Sequence, residues 1–281
     1  MFVNVSLSEA ARRVKLPSLR TEGSLRLVAR AAGGCTRAIE VGEAGPLRVR
    51  FPRLGAGKRL EAITLNTAGG IVGGDRLAVS VEAAAGAEIV VTSQAAEKVY
   101  RAAGAPSRVA LILKAGPRAS IDWLPQETIL FDQARLARRL DVDMAADARL
   151  TICEAIVFGR AAMGERMQAG SVRDQWRIRR GGKLVFADAL RIEGEVEKIL
   201  ARPAVANGAA AIATIMRVAS DAEAGLDALR AAFDSEIEAA ASAFGGVLIA
   251  RLIARDGFTL RRAIIAALSA IGSPPPRAYL L

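Results

Sequence analysis

The 281-residue sequence contains no histidine. Ser-His-Asp and Cys-His catalysis, HExxH metallohydrolase sites and histidine-held transition metals all require an imidazole as base or ligand. The sequence therefore excludes each of these classes. Any catalytic interpretation must depend on carboxylates, lysines, tyrosines or a bound cofactor, and this restriction favours a binding or scaffolding role.

Cysteine and aromatic residues are scarce. The two cysteines, Cys35 and Cys153, are far apart in the sequence, and neither belongs to a CxxC pair. This spacing predicts neither a disulfide framework nor a cysteine zinc site. Aromatic residues make up 4% of the chain, which argues against a platform that stacks the bases of single-stranded nucleic acid.

Long apolar runs are also missing. The longest segment without a charged residue lies between Arg202 and Arg217, and it contains Pro203 and Gly208. It is shorter than the ~18 apolar residues that a membrane-spanning helix needs, so we expect no transmembrane helix and no membrane partner. The first residues show no basic leader, apolar run and cleavage site in succession, which predicts a cytoplasmic protein.

The charge is positive and unevenly distributed. The chain has 39 Lys and Arg against 29 Asp and Glu, a net charge of +10, and most of the excess lies in residues 1–60. Nucleic acid, an anionic membrane or an acidic protein surface can each bind such a basic segment. The simpler interpretation is that arginine fills solvated surface positions, and we expect no nucleic-acid partner.

Short runs with a period of two dominate the chain from Gly23 to about Ile192. Such alternation places every second side chain on one face, as in half-buried strands. The even spacing predicts a mainly β fold, a layered antiparallel β-structure with two helices near the C-terminus. The clearest hairpin spans Val172–Ile192, because Gly181-Gly182 can supply the positive φ angles of a tight turn.

The last part of the chain has helical periodicity. Ser220 to Glu223 fits a capping box that starts a helix of about six turns, ending at Gly245-Gly246. Val247 to Ile253 is typical of a buried strand, and Leu260 to Ile271 predicts the second helix. We expect one domain over residues 1–281, with a β-rich body at about 23–218 and a helix-strand-helix segment at about 220–272.

The densest motif is the segment Asn66–Asp75. It contains two glycine pairs and an acidic residue: Gly69-Gly70, Gly73-Gly74 and Asp75. A dinucleotide fingerprint would need GxGxxG and a helix, and a phosphate loop would need Lys-Ser/Thr where Asp75-Arg76 stands. The residues alone predict a tight turn that another chain or ligand can approach closely. A side chain at Gly73 is expected to be strained if its φ is positive.

Two further segments carry candidate binding groups. In Thr92–Arg101, the side chains of Lys98, Tyr100 and Arg101 offer an ammonium, a phenol and a guanidinium to a small anion or carboxylate. A plain surface strand is the simpler interpretation. The segment Phe158–Glu165 has two glycines and is predicted to be a loop.

Acidic residues concentrate beside apolar ones later in the chain. The four candidates for hard-metal ligands or an acid-base pair are Glu127, Asp132, Glu154 and Glu165. Their spacing places no two of them on one face of a single element, so the pattern alone defines no site.

Taken together, five segments resemble the UreD (UreH) family of urease accessory proteins. They follow one another in the family's order: Asn66–Asp75, Thr92–Arg101, Leu124–Asp132, Phe158–Glu165 and Arg177–Leu190. The resemblance extends over roughly residues 23–281. It implies a mainly β fold and a non-enzymatic role as scaffold and chaperone in nickel insertion.

The resemblance also implies partners and site residues. The expected partners are the urease apoprotein, a UreF-like helical accessory subunit and a UreG-like GTPase. The implied partner-binding or structural residues are Gly69, Gly70, Gly73, Gly74, Asp75, Lys98, Tyr100, Arg101 and Arg160. The residues for transient nickel passage are Asp75, Glu127, Asp132, Glu154 and Glu165, with no permanently bound cofactor. Weak oxygen ligands suit such passage, because histidine and cysteine sites would retain the ion.

Two alternatives remain open on the sequence alone. One is a carboxylate- or lysine-dependent enzyme for a small molecule, in which Glu127→Gln abolishes turnover by the purified chain. The other is a basic module that binds nucleic acid through residues 1–60, with an affinity that falls steeply as salt increases.

Overall fold

The computed structural model describes residues 20–52, 58–160 and 163–280. Much of the basic segment at residues 1–60, namely residues 1–19 and 53–57, lies outside this description. The strands in chain order are β1 Glu22–Ala32, β2 Cys35–Ala44, β3 Leu47–Arg50, β4 Leu60–Asn66, β5 Arg76–Ala83, β6 Glu88–Ser93, β7 Glu97–Val99, β8 Ser107–Ala115, β9 Ser120–Trp123, β10 Thr128–Leu130, β11 Arg135–Met144, β12 Arg149–Phe158, β13 Gly170–Arg180, β14 Lys183–Gly194, β15 Ala211–Val218, β16 Glu238–Phe244 and β17 Val247–Ala254. The helices are α1 Val196–Leu200, α2 Leu226–Ala231 and α3 Gly257–Ala270, with 3₁₀ turns at Ala222–Gly225 and Arg277–Tyr279.

The strands form two facing sheets. Sheet A has seven strands in the order β14-β13-β11-β8-β5-β1-β2. Sheet B has ten, in the order β16-β17-β15-β12-β9-β6-β4-β3, with β10 paired to β12 and β7 paired to β10. This confirms the mainly β, layered fold with two helices near the C-terminus, α2 and α3.

The expectation of antiparallel sheets is corrected by the strand pairing. The pairs β1–β5, β5–β8, β8–β11 and β11–β13 are parallel, as are β4–β6, β6–β9 and β9–β12. Between these strands the chain passes to the other sheet and back. The paired strands are therefore not consecutive in the sequence. Period-two alternation records which face is buried, whereas the direction of the neighbouring strand depends on the connection.

Two apolar clusters hold the layers together. The larger one lies between the sheets and includes Leu27, Leu113 and Ile121. The second lies between the outer face of sheet B and α3, where Leu260, Ile264 and Leu268 pack. Strand β12 contributes to both clusters, so all but its first residue are buried. A strand covered on both faces is expected to be continuously apolar.

The predicted hairpin and second helix are confirmed. Strands β13 and β14 pair around Gly181 and Gly182, whose φ angles are +55° and +78°. Helix α3 begins after Asp256, whose Oδ1 accepts a hydrogen bond from the Thr259 amide at 2.8 Å. Among the helices of the described ranges, none has the length and apolar character needed to cross a membrane.

The predicted six-turn helix is wrong. The segment instead folds into the 3₁₀ turn, the short α2 and strand β16, which pairs with β17. Glu223 does not close a capping box, because its Oε1 accepts from the Gly246 amide at 2.9 Å. Gly245 and Gly246 have φ angles of +56° and +77° and form the turn between β16 and β17. Most residues of β16 are small, so its sequence has neither a clear helical nor a clear strand pattern of large apolar residues. Pairing with β17 therefore decides its structure.

Candidate functional site

The glycine segment is a structured loop between β4 and β5. The buried Asp75 carboxylate organises it, since Oδ1 accepts from the Thr21 amide at 2.8 Å and Oδ2 from the Val72 amide at 2.9 Å. The Ile71 amide donates to the Lys98 carbonyl at 2.7 Å, and its carbonyl accepts from the Tyr100 amide at 2.8 Å. These bonds join the loop to β7 and to Tyr100, which follows that strand.

Two glycines in this loop have neighbours too close for a side chain. A Cβ on Gly70 would overlap with Tyr100 Cε2 and lie 2.8 Å from the Lys98 carbonyl oxygen. A Cβ on Gly73 would lie 2.6 Å from Ala102 Cβ. Gly73 does not have the positive φ considered above, so the constraint there is the close approach of Ala102.

Tyr100, Phe131 and Arg160 form a contiguous stack on the surface. The Tyr100 hydroxyl donates to the Gly69 carbonyl at 3.0 Å, and its ring meets the Phe131 ring edge to face at 4.8 Å. The Arg160 guanidinium lies over the Phe131 ring, 4.3 Å from its centre, in a cation–π contact. Arg160 also pairs with Glu165. The stack therefore connects four of the five segments singled out in the sequence.

The carboxylates of Asp132 and Glu165 hold the adjacent loop. Asp132 Oδ1 accepts from the amides of Gln168 at 2.8 Å and Ala169 at 3.1 Å, and Glu165 Oε1 accepts from the Asp132 amide at 2.8 Å. Burial opposes ionisation of Asp132, but the hydrogen bonds from Ala169, Gln133 and Gln168 outweigh it and lower the pKa. Both carboxylates act as structural acceptors here.

We call the depression beside this stack the motif surface. It has a volume of about 570 Å³, and its lining includes Lys98, Tyr100, Phe131, Arg160 and Met163. The Met163 side chain is 73% exposed. Arg101 is exposed as well but does not line this depression, so the predicted trio of Lys98, Tyr100 and Arg101 does not converge on one site.

Glu127 anchors α3 to the edge of the motif surface. Arg261 donates from Nε to Glu127 Oε1 at 2.7 Å and from Nη2 to Oε2 at 2.6 Å. A further bond joins Arg261 Nη2 to Gln126 Oε1 at 2.8 Å. The bidentate pair is largely buried and raises the pKa of Arg261, chiefly through the hydrogen bonds to Glu127. Glu127 is thus a link between the helix and sheet B.

An interior cavity of about 260 Å³ lies between the two sheets. Its lining includes two carboxylates, Glu97 and Glu154. Glu97 Oε1 and Oε2 accept from the Asn66 amide nitrogen at 3.2 and 3.1 Å. Burial raises the pKa of Glu97 to about 6, against the opposing effect of the Asn66 hydrogen bond.

A buried charged cluster borders the cavity. Arg138 of β11 pairs with Glu154 of β12 and with Asp174 of β13, and Trp123 Nε1 donates to Glu154 Oε1 at 2.7 Å. Burial raises the pKa of Glu154, although Arg138 opposes the shift. Burial would lower the pKa of Arg138, but Asp174 and Glu154 raise it above its ordinary value.

Arg138, Asp174 and Glu97 were absent from the sequence predictions. A signal existed for two of them, because each occupies the buried face of its strand: Arg138 lies between the inward-facing Leu136 and Leu140, and Asp174 lies between the buried Val172 and Trp176. A charged residue at an inward position requires a partner, and that requirement could have revealed the pair. No comparable signal marks Glu97.

The five carboxylates predicted for nickel passage do not form one cluster. Asp75, Asp132 and Glu165 bind backbone amides, Glu127 binds Arg261, and Glu154 binds Arg138 and Trp123. Within the described ranges, no three His, Cys, Asp or Glu side chains lie together as a metal site would require. Transient passage over these groups stays a prediction.

Comparison with known proteins extends over nearly the whole chain. Residues 21–278 match the family model described as UreD urease accessory protein. The urease accessory protein UreD of Methylobacterium sp. (strain 4-46) is 49% identical over 268 residues, which cover 92% of this chain and 95% of the relative. UreD 1 of Bradyrhizobium sp. (strain ORS 278) is 48% identical over 263 residues, covering 93% and 94%. UreD of Azorhizobium caulinodans is 48% identical over 264 residues, covering 93% and 97%.

Proposed function

The chain belongs to the UreD family of urease accessory proteins, and from this premise we propose that it is a scaffold and chaperone for nickel insertion into urease apoprotein. The match to the family over residues 21–278 is the observation that carries the proposal. In this role the protein binds partners and performs no covalent chemistry. It works with a UreF-like helical subunit and a UreG-like GTPase.

The motif surface is the proposed contact for one protein partner of this assembly. Three of the five family segments line it, and the glycine segment contacts it through the Tyr100 hydroxyl. Met163 and Lys98 are exposed there and do not belong to the core. The Tyr100–Phe131–Arg160 stack makes this surface rigid, which reduces the entropy lost when a partner binds. An exposed thioether beside an aromatic stack is also suited to apolar packing.

The interior cavity is the proposed place for transient passage of nickel. Its carboxylates Glu97 and Glu154, with the Asn66 amide, offer oxygen ligands that hold a divalent ion weakly. The Glu97 carboxylate, with a pKa of about 6, carries a negative charge at neutral pH and favours a cation over an anion in this region. Nickel is cargo in this scheme, and no resident cofactor is required.

A gene deletion tests the proposed function. We expect the deletion strain to make urease that is poor in nickel and inactive, and the wild-type gene to restore both nickel content and activity. The readouts are urease activity and the nickel content of the purified enzyme, measured by elemental analysis. Nickel-replete, fully active urease in the deletion strain would overturn the proposal.

Surface variants test the motif surface as a partner contact separately from the proposed role in urease maturation. Met163→Asp with Lys98→Glu is expected to reduce urease activation and co-purification of the accessory partners by about tenfold. The first change places a charge against an apolar contact, and the second reverses the charge beside it. Leu184→Asp is the matched control, since Leu184 is 53% exposed and lies on β14, away from this depression. Full activation by the Met163 and Lys98 variant would show that the motif surface is not a partner contact, and it would leave the proposed maturation role standing.

A further inference from the structure

The outer face of sheet A carries a groove lined by arginines. It has a volume of about 850 Å³ and shares no lining residue with the motif surface. We call it the arginine groove. Besides the buried Arg138, its basic lining residues are Arg76, Arg108, Arg135, Arg139 and Arg173. Its floor includes the small residues Ala78, Ala110 and Ala137.

The parallel register of sheet A creates this arrangement. Arg76 is opposite Arg108, Arg108 is opposite Ala137, and Ala137 is opposite Arg173. Three arginines therefore lie in one row across four strands. With strands about 4.8 Å apart, the row is about 14 Å long, which an extended peptide of four or five residues can cross.

The positive charge of the groove exceeds the negative charge around it. Glu193 is the one carboxylate among the described lining residues, and it accepts from Arg173 Nη2 at 2.8 Å. Arg76 reaches Glu22 at 3.7 Å, with both side chains well exposed. In the described part of the chain, Arg108 has no carboxylate within 4 Å. An acidic ligand would supply the missing counter-charge.

We propose that the arginine groove binds an extended, acidic segment of a partner protein. Guanidinium groups bind carboxylates in a bidentate manner, and the alanine floor lets a backbone approach the sheet closely. The side chains of Gln175 and Glu193 also present acceptors in the groove, and these can accept from N–H donors. A polypeptide backbone has such donors, whereas a phosphodiester backbone has only acceptors.

The lining also disfavours nucleic acid. No aromatic side chain is present among the described residues of the groove, so unpaired bases would find no stacking surface. The inference goes beyond the role in urease maturation, because it depends only on the groove and its charge.

Fluorescence anisotropy with defined probes tests this inference. The probe is a short labelled peptide of alternating glutamate and alanine, and its matched control has glutamine in place of glutamate. We expect the full chain to bind the acidic peptide and not the glutamine peptide, with an affinity that falls as salt is raised. Arg108→Gln with Arg173→Gln is expected to weaken binding about tenfold, since each lost ion pair at a solvated site contributes modestly.

A second double variant controls for net charge. Arg37→Gln with Arg202→Gln removes the same charge from exposed positions outside the groove and is expected to leave the affinity unchanged. Thermal unfolding of each variant shows whether it is folded. The proposal is overturned if the acidic peptide does not bind, if both double variants weaken it equally, or if a single-stranded DNA oligonucleotide of equal charge binds the groove more tightly than the peptide.

Discussion

Glu97 lies beside the interior cavity with its carboxylate held by the Asn66 amide. Its pKa of about 6 means that the side chain is ionised at neutral pH and can then act as an oxygen ligand for a cation. Burial nevertheless removes part of the hydration of the ionised carboxylate, which destabilises the charged form. Glu97 thus combines a destabilising position with the charge that the proposed passage of nickel needs.

The pH dependence of stability reveals this property. In the unfolded chain Glu97 titrates near its ordinary value of 4.5, and in the folded chain near 6, so the folded state retains the proton longer. Stability is therefore lost as the pH rises through this window, by about 2 kcal/mol. Glu97→Gln keeps an acceptor for Asn66 but cannot ionise. We compare the free energies of unfolding in urea at pH 4 and pH 7. The difference between the variant and wild type should increase in favour of the variant by about 2 kcal/mol from pH 4 to pH 7.

An unchanged difference in unfolding free energy between the two pH values would contradict this assignment. Asn66 is a useful check, because its hydrogen bond lowers the pKa of Glu97. Asn66→Ala should therefore raise that pKa further and move the loss of stability to higher pH.

Arg138 is the buried cation on which two carboxylates depend. Replacing it with methionine leaves Glu154 and Asp174 buried without a counter-charge, which is expected to cost about 3–5 kcal/mol of unfolding free energy. Arg139 is the matched control on the same strand, because its pair with Asp141 is exposed. Arg139→Met should change stability little. Equal losses in the two variants, measured by urea unfolding, would show that the Arg138 cluster is not a strongly coupled unit.

At the scale of elements, the glycine loop and β7 depend on each other. The loop carbonyl of Gly69 accepts from Tyr100, and Gly70 leaves room for the Tyr100 ring. A side chain at Gly70 would displace that ring and disturb its contact with Phe131. The motif surface is therefore built on the close approach of one loop to one strand.

Two alanine substitutions in this loop separate space from backbone conformation. Gly69 and Gly70 both have positive φ, +76° and +148°, but a Cβ on Gly69 would meet nothing within 4 Å. Gly69→Ala is expected to cost about 1 kcal/mol for the backbone alone. Gly70→Ala should cost about 1–3 kcal/mol more, because the Tyr100 ring must move. Urea unfolding measures both, and near-ultraviolet circular dichroism reports the tyrosine environment; equal losses would mean that the ring adjusts freely.

Helix α3 and the β16 segment show how far periodicity determines an element. Helix α3 has an Asp256 cap, a wide apolar face and a stop at Gly272, all of which are local in sequence. The segment of β16 is rich in alanine, whose helix propensity is high, yet it pairs with β17. Its structure is decided by a neighbouring strand with an exposed hydrogen-bonding edge.

At the scale of the whole molecule, the chain crosses repeatedly between the sheets. Strands β5, β8 and β11 belong to sheet A, while β6, β9 and β12, which alternate with them in sequence, belong to sheet B. Neither sheet is therefore a continuous stretch of the chain. Unfolding one sheet would remove the strands' connections to the other, so we expect one cooperative transition.

The two tryptophans can test this cooperativity, because Trp123 lies in sheet B and Trp176 in sheet A. Trp123→Phe leaves a probe in sheet A, and Trp176→Phe leaves one in sheet B. In each variant, the fluorescence and far-ultraviolet circular dichroism curves in urea should have the same midpoint. Different midpoints for the two probes would show that the sheets unfold separately, and that residues 1–281 do not behave as one domain.

The local features of the fold could be predicted from the order of the amino acids. The alternation of apolar residues predicted the strands, Gly181-Gly182 predicted the hairpin turn, and Leu260 to Ile271 predicted α3. The absence of histidine excluded whole classes of active site. The order of the glycine, aromatic and acidic segments was enough to identify the family. Each of these features depends on residues that are close together in the chain, or on composition alone.

The contacts between residues far apart in the chain could not be predicted in this way and are known from the folded structure. It paired the strands in parallel, placed Arg138 between Glu154 and Asp174, and joined Tyr100 to Phe131 and Arg160. It also aligned Arg76, Arg108 and Arg173 in one row. These contacts depend on strand register and on the route of the chain between two sheets. Spacing along a strand shows which face a side chain occupies, but the neighbour on that face is set by the free energy of packing the whole molecule.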